Sequence, residues 1–243
     1  MKILGIIPAR YASSRFPGKP LADICGKPMI LRVYERAMKS KSLCDVIVAT
    51  DDVRIFECVE NYGGRAVMTD SSLPNGTARC EQAAGIYGKN IDAVINIQGD
   101  EPLLDPLMID EAAELLQSCE CSTLCRELDY DFSNPNIVKV VMSQDGHALY
   151  FSRSLIPYRR NNTSLPIYQH IGIYGYSLDF LKKYVTLKST PLSDAESLEQ
   201  LKILEHGYKI SIKITDSINE SIGVDTPEDL KRVSEIICRN SNG

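Results

Sequence analysis

Apolar and polar positions change period repeatedly along the chain, and the changes lay out a series of strands and helices. Ile3 to Ile7 is a short, wholly apolar run, the pattern of a strand covered on both faces. Ile30, Val33, Tyr34 and Ala37 recur at helical spacing and predict a helix from about Lys27 to Ser40. Asp45 to Thr50 reads as a second strand. Ile55, Phe56, Val59 and Tyr62 mark the next helix, which Gly63-Gly64 stops before a short strand at Ala66 to Thr69. A helix around Arg79 to Tyr87 precedes the strand Ala93 to Ile97, which runs directly into Gln98-Gly99-Asp100-Glu101-Pro102. This alternation predicts an α/β fold with a mostly parallel, Rossmann-like central sheet covered by helices.

The second half is less regular. Val138 to Met142, Ala148 to Phe151, Ile171 to Tyr176 and Tyr208 to Ile214 pattern as strands, and Ser193 to His206 as one helix. Thr226-Pro227-Glu228-Asp229 opens a last helix with an N-cap, a proline at the first position and acids in the first turn; Arg239 to Gly243 reads as a frayed end. There is no internal repeat, low-complexity tract or Gly/Ser-rich linker, so residues 1–243 read as one domain with a less regular C-terminal lobe.

Composition narrows the partners. Of 243 residues, 44% are hydrophobic and 24% charged, ordinary for a globular protein, and the net charge of −5 argues against a nucleic-acid binder or a membrane-surface protein. Any anionic substrate must therefore meet a local basic cluster. No segment has the apolar length of a membrane span, and Pro8 and Arg10 cut the first apolar run too short for a signal peptide, so the expectation is a cytoplasmic protein. Most of the eight cysteines lie in apolar-patterned segments and read as buried free thiols of a reducing compartment. Cys119, Cys121 and Cys125 form the only cluster, and their spacing fits no zinc pattern.

The segment after the first strand, Pro8-Ala9-Arg10-Tyr11-Ala12-Ser13-Ser14-Arg15-Phe16-Pro17-Gly18-Lys19-Pro20, carries three cations in ten residues. Loops at strand C-terminal ends line the ligand crevice of an open α/β sheet. Arg10 and Arg15 suit phosphate oxygens through planar forks, and Lys19 suits a triphosphate as a point charge. Neither a Walker loop nor a G-x-G-x-x-G fingerprint is present. Asp100 ends an apolar strand, and Asp225 follows Ile222-Gly223-Val224 just before the last helix. A nucleoside triphosphate travels with Mg2+, which takes hard oxygen ligands and one or two protein carboxylates; Asp100 and Asp225 are the candidate pair. Residue types alone leave a solvated turn open for Asp100 and a helix-capping role open for Asp225.

With these residues in view, the chain resembles the CMP-KDO synthetase family, the 3-deoxy-manno-octulosonate (KDO) cytidylyltransferases. The resemblance runs from Ile6 to the last helix, through IIPARYASSRFPGKPL at 6–21, VATDD at 48–52, NGTARC at 75–80 and NIQGDEPL at 96–103. It continues through ALYFSRSLIPY at 148–158, HIGIYGY at 170–176, LEQLKILEHG at 198–207 and GVDTPEDL at 223–230. The opening loop is shared by many nucleotidyltransferases; the later combination is far more specific.

The resemblance implies transfer of CMP from CTP to KDO, with residues 1–130 mainly binding nucleotide and 131–243 mainly serving sugar binding and homodimerisation. It implies Arg10 and Lys19 on the CTP phosphates, with Pro8, Ala9, Ser13 and Arg15 shaping their loop. Asn75, Gly76, Thr77 and Arg79 would form the nucleoside pocket. Gln98, Arg153, His170, Tyr174, Glu199 and Gln200 would surround the acid sugar, Arg153 facing its carboxylate. Asp100 and Asp225 would bind Mg2+, and Arg10, Lys19, Asp100 and Asp225 form the implied catalytic set. The chain departs from the family pattern at Ala78, where an acidic residue is usual, and this leaves Arg79 without its customary neighbour. The stretch between Arg159 and Gln169 also diverges. Alternatives are another acid sugar, such as an 8-amino KDO analogue or a sialic-acid-like substrate, a nucleotidyltransferase acting on a sugar or polyol phosphate, and a non-catalytic nucleotide-binding homologue.

Overall fold

The computed structural model describes residues 1–12, 16–161, 164–219 and 222–241. The chain opens with β1 (Ile3–Ala9), followed by a 3-10 turn (Lys19–Leu21), a small hairpin of β2 (Asp23–Ile24) and β3 (Lys27–Pro28), and α1 (Met29–Ala37). Next come β4 (Leu43–Thr50), α2 (Val53–Asn61), β5 (Ala66–Met68), α3 (Gly76–Tyr87), β6 (Ala93–Asn96), α4 (Pro106–Leu115) and β7 (Cys121–Leu128). The second half supplies β8 (Lys139–Met142), β9 (Ala148–Ser152), β10 (Ile167–Ser177), α5 (Leu178–Thr186), α6 (Pro191–Glu196) and α7 (Leu201–Glu205). It ends with β11 (Ser211–Ile214) and α8 (Pro227–Ser241).

The main sheet runs β11-β7-β10-β6-β1-β4-β5, with β8 and β9 branching from β10. Strands β6, β1, β4 and β5 pair in parallel, as the alternating pattern requires. β10 lies antiparallel to both β6 and β7, and β8 and β9 are antiparallel as well, so the sheet is mixed. The parallel strands are joined by helical crossovers, whereas β8 and β9 are joined by a tight turn that only antiparallel neighbours allow. One face packs Leu4, Ile6, Val94, Tyr176, Phe180 and Tyr184 together with α3 and α5. The other packs Ile3, Ile7, Val46, Val48 and Ile95 against α1, α2 and α4.

Three sequence expectations are corrected. The helix expected from Lys27 begins at Met29, because Lys27 and Pro28 pair with Asp23 and Ile24 in the hairpin. The helix expected from Ser193 to His206 is two helices, because Ser197 takes a left-handed conformation (φ 51) and turns the chain between α6 and α7. The cysteines are not all free: Cys25 and Cys238 form a disulfide. Helix α8 and the turn before it fold back over β2, Val233 of the helix and Val224 of the turn packing with Ile24 and Met29, and this brings together two cysteines 213 positions apart. The start of α8 does match its sequence signal. Thr226 Oγ1 accepts from Asp229 N, and the Asp229 carboxylate accepts from Thr226 N, a reciprocal capping box.

Candidate active site

Two close backbone approaches shape the cleft at the C-terminal ends of β1 and β6. A Cβ on Gly99 would lie 2.9 Å from the Pro8 carbonyl oxygen, so only glycine lets Gln98-Gly99-Asp100 pass beside β1. Gly18 has φ 73 and would place a Cβ 3.0 Å from the Tyr11 ring; this left-handed residue turns the chain so that Lys19 faces Asp100.

Lys19 donates to Asp100 Oδ2 at 2.7 Å and to Asp225 Oδ1 at 3.3 Å, so residues from three distant parts of the chain meet at one ammonium. The backbone fixes this corner too, since Val224 N donates to the Asp100 carbonyl at 2.9 Å. The Asp100 and Asp225 side chains are 29% and 50% exposed, so they are open to a ligand from solvent. Two carboxylates converging on one cation from a strand end and a loop suit Mg2+, which keeps substrate and water oxygens in its remaining positions. Arg10 directly follows β1, and its guanidinium donates to the Leu73 carbonyl.

Beside this corner lies a cavity of ≈ 390 Å3 lined by Pro8, Gly76, Thr77, Asn96, Gln98, Val138, His170, Tyr174, Tyr176, Tyr184 and Ser197 to Gln200. Five of the six expected sugar residues (Gln98, His170, Tyr174, Glu199 and Gln200) therefore meet in one place. Gln98 is oriented by Nε2 donating to the Gly172 carbonyl at 2.8 Å. Rings run in a row along β10 and α5, with centroids 5.3 Å apart for His170 and Tyr174, 5.9 Å for Tyr174 and Tyr176, and 5.8 Å for Tyr176 and Tyr184.

Burial dominates the electrostatics here. Desolvation lowers His170 to about 3, so its ring stays neutral, with Nε2 3.0 Å from Thr123 Oγ1. Burial also raises Tyr174 and Tyr184 and pushes the Glu199 carboxyl above the usual carboxylate range. Glu199 is exposed as a residue, yet its carboxylate turns inward to accept from Tyr184 Oη at 3.0 Å. Tyr174 lies directly across the β10–β6 ladder from Asn96. The Tyr174 hydroxyl and Asn96 Oδ1 are buried without a hydrogen-bond partner. Such orphaned groups are suited to ligand hydroxyls, since each leaves a desolvation penalty that a hydrogen bond removes.

Several expected contacts have different settings. Arg79 is fully buried, ion-paired with Asp51 at 2.9 Å and bonded to the Thr69 hydroxyl, while its Nε has no partner among the described residues. Asn75 caps α3, its Oδ1 accepting from Ala78 N at 2.8 Å. Ala9 is buried within β1. Arg153 lies outside the cavity lining; its guanidinium donates to the carbonyls of Glu196, Pro135 and Ser197 instead of facing open space. Ser13 and Arg15 lie outside the described residues. Asn96 and Tyr184 line the cavity but are not among the expected site residues. Asn96 had a signal, a polar residue breaking the apolar run just before Gln98; Tyr184 had none, since its spacing from Phe180 and Leu181 is that of a core aromatic.

The geometry agrees with comparison to known proteins. A family model described as cytidylyltransferase matches residues 4–212. The 3-deoxy-manno-octulosonate cytidylyltransferase of Protochlamydia amoebophila is 47% identical over 250 residues, covering 99% of this chain and 96% of that protein. The chain belongs to the 3-deoxy-manno-octulosonate cytidylyltransferase family. A solved structure described as CMP:2-keto-3-deoxy-manno-octonic acid synthetase complexed with CTP superimposes with a TM-score of 0.93 at 39% identity, covering 99% of this chain and all of that one. The family has a second branch of near-equal similarity: the 8-amino-3,8-dideoxy-manno-octulosonate cytidylyltransferase of Shewanella pealeana is 47% identical, covering 95% of this chain and 96% of that protein.

Proposed function

We propose that this chain transfers CMP from CTP to the anomeric hydroxyl of KDO, releasing pyrophosphate and supplying CMP-KDO for lipopolysaccharide synthesis. The observation that carries the reading is the closeness of two chemistries, since Gln98 lines the cavity and Asp100 in the corner lies two residues on. A cation-and-carboxylate corner suits a metal-bound triphosphate, and it adjoins a ring-lined cavity whose buried hydroxyl and amide groups suit a polyhydroxy acid. The family and its named relatives support the same reaction.

Displacement at phosphorus is mainly a matter of positioning and charge neutralisation. Lys19 and Arg10 supply positive charge to the phosphates from β1 and its loop. Asp100 and Asp225 would hold Mg2+, which when bound lowers the pKa of a hydroxyl nucleophile and balances developing negative charge. Gly76 and Thr77, at the first turn of α3, offer backbone donors to the nucleotide. Gln98, His170, Tyr174 and Gln200 hold the sugar through hydrogen bonds. His170 does so as a neutral ring, so it orients a hydroxyl and does not act as a proton acceptor of ordinary strength. The exposed Leu155, Tyr158 (88%) and Leu165 support a homodimer formed through the C-terminal lobe.

The 8-amino sugar is the second reading, favoured by the relatives of that specificity and by the Glu199 carboxyl at the cavity wall. One experiment tests both. Purified protein, Mg2+ and each nucleoside triphosphate are incubated with KDO or 8-amino-KDO, and pyrophosphate release is followed. Release with CTP and KDO is expected. A higher kcat/KM for the amino sugar would move the assignment to that branch, and no release with either sugar would reject the reaction.

A further inference from the structure

Lys139, the first residue of β8, has no exposed surface. Its ammonium donates to the carbonyls of Asn134 at 2.8 Å, Ile137 at 2.7 Å and Arg153 at 2.6 Å, the full complement of three donors. Among the described residues it forms no ion pair. A buried ammonium held only by carbonyls is an unfavourable way to fill a core position, where an apolar side chain would pack without desolvating a charge. Burial pushes its pKa down, against the weaker opposing pull of Asp131 and Glu196.

The three carbonyls show what the ammonium joins. Two belong to the 134–137 turn that leads into β8, and the third belongs to Arg153, immediately after β9. Arg153 carries the connection onward: its N donates to Glu196 Oε2 at 2.9 Å, its Nε to the Glu196 carbonyl at 2.8 Å, and its Nη1 to the Pro135 carbonyl at 3.0 Å. Ser152 Oγ completes the set by donating to Glu196 Oε1 at 2.6 Å. An unbroken chain of hydrogen bonds thus runs from Lys139 to the end of α6. There the chain turns at Ser197, and Ser197 to Gln200 form one wall of the cavity. The facing wall, Pro8, Gly76 and Thr77, comes from β1 and α3; it meets Glu199 through Thr77 Oγ1, 3.5 Å from Glu199 Oε2, and among the described residues bonds to none of Lys139, Arg153 and Glu196.

We propose that Lys139 is a positioning residue for the acid sugar: through Arg153 and Glu196 it sets the wall that carries Glu199 and Gln200 without touching substrate itself. The inference rests on the assignment of the sugar to this cavity. It explains why a charge is kept in a buried strand: three carbonyls from two segments must be gathered at one point, and an apolar side chain can fill the space but cannot gather them.

The test compares Lys139→Met with Glu196→Gln, which keeps the ammonium but loosens the next link. Steady-state kinetics with both substrates are paired with amide hydrogen exchange across Ser197 to Gln200. For Lys139→Met the KM for KDO should rise at least tenfold while the KM for CTP stays within twofold and kcat within threefold. For Glu196→Gln the same selective rise should be about threefold. Exchange should quicken at Ser197 to Gln200 and stay unchanged in α3. If Lys139→Met does not fold, Glu196→Gln carries the test alone. Equal shifts in both KM values, or unchanged exchange in a folded variant, would overturn the proposal. Faster exchange in a protein whose wild type does not turn over KDO would leave the positioning role standing and reject the sugar assignment instead.

Discussion

The two ends of the cleft treat polarity in opposite ways. At the end proposed for the phosphates, the Lys19 ammonium stands 2.7 Å from Asp100 and 3.3 Å from Asp225, two partly exposed side chains. At the end proposed for the sugar, rings and hydroxyls predominate, and burial moves His170, Tyr174, Tyr184 and Glu199 towards their neutral forms. On the proposed assignment, the contrast follows from what each end would receive. A metal-bound triphosphate brings its own charge, which partly solvated groups can meet with little desolvation. A sugar brings hydroxyls, whose hydrogen bonds discriminate best where water is excluded.

The comparison is broken most severely at the charged end. Asp100→Ala should lower the rate of pyrophosphate release by about 1,000-fold, and Asp225→Ala by about 100-fold, given the weight that electrostatic and metal contacts carry in such reactions. Neither should move the urea midpoint, since both side chains reach solvent. A full rate in Asp225→Ala would reduce the corner to Asp100 and Lys19.

Beneath that corner the same charge chemistry becomes structural. Asp51→Asn would leave the buried Arg79 guanidinium without its counter-ion and should destabilise the protein by about 3 kcal/mol in urea unfolding. An unaltered midpoint would show that Thr69 alone holds the guanidinium.

At the neutral end the test is pH. His170 titrates near its ordinary 6.5 when unfolded and at about 3 when folded, so between these values the unfolded chain binds the extra proton. Its contribution is fully present above the unfolded value and falls as the pH drops towards the folded one, by up to about 1.4 kcal/mol per pH unit. His170→Gln should remove that slope between pH 6.5 and 4.5, and identical slopes in the two proteins would reject a buried neutral ring.

The smallest effect sharpens the boundary between the two ends. Asn75→Ala should lose the α3 cap and about 1 kcal/mol of stability. Asn75→Asp keeps the cap, so a rise in the KM for CTP in that variant would reveal a contact of the amide with nucleotide beyond its structural role.

The parallel half of the fold was legible because its cause is local. A strand buried on both faces must be apolar throughout, and an amphipathic helix must repeat near 3.6 residues, so β1, β4, α2 and β6 are written in their own segments. The corner was legible for a related reason, since polar residues placed just after apolar strands stand out. The misread elements were those decided by partners elsewhere. Lys27 and Pro28 join a hairpin only because Asp23 and Ile24 are there to pair with them, and Ser193 to His206 carries a helical pattern broken by one left-handed residue.

The sequence by itself determined the fold class, the reaction family and most of the residues that meet in the cleft. The tertiary structure decided what each of them does. The resemblance implies a place in the nucleoside pocket for Arg79 and at the sugar carboxylate for Arg153, yet the fold pairs one with Asp51 and turns the other to backbone carbonyls. Asn96 and Tyr184 read as interior residues, yet the fold turns them to the cavity. Lys139 carries no signal in the sequence, because its role depends on three carbonyls that converge only once β8 and β9 have paired. Charge and hydrogen-bonding capacity belong to the residue, but burial and partners belong to the packed chain, and those two decide whether a polar group binds a ligand or supports the scaffold.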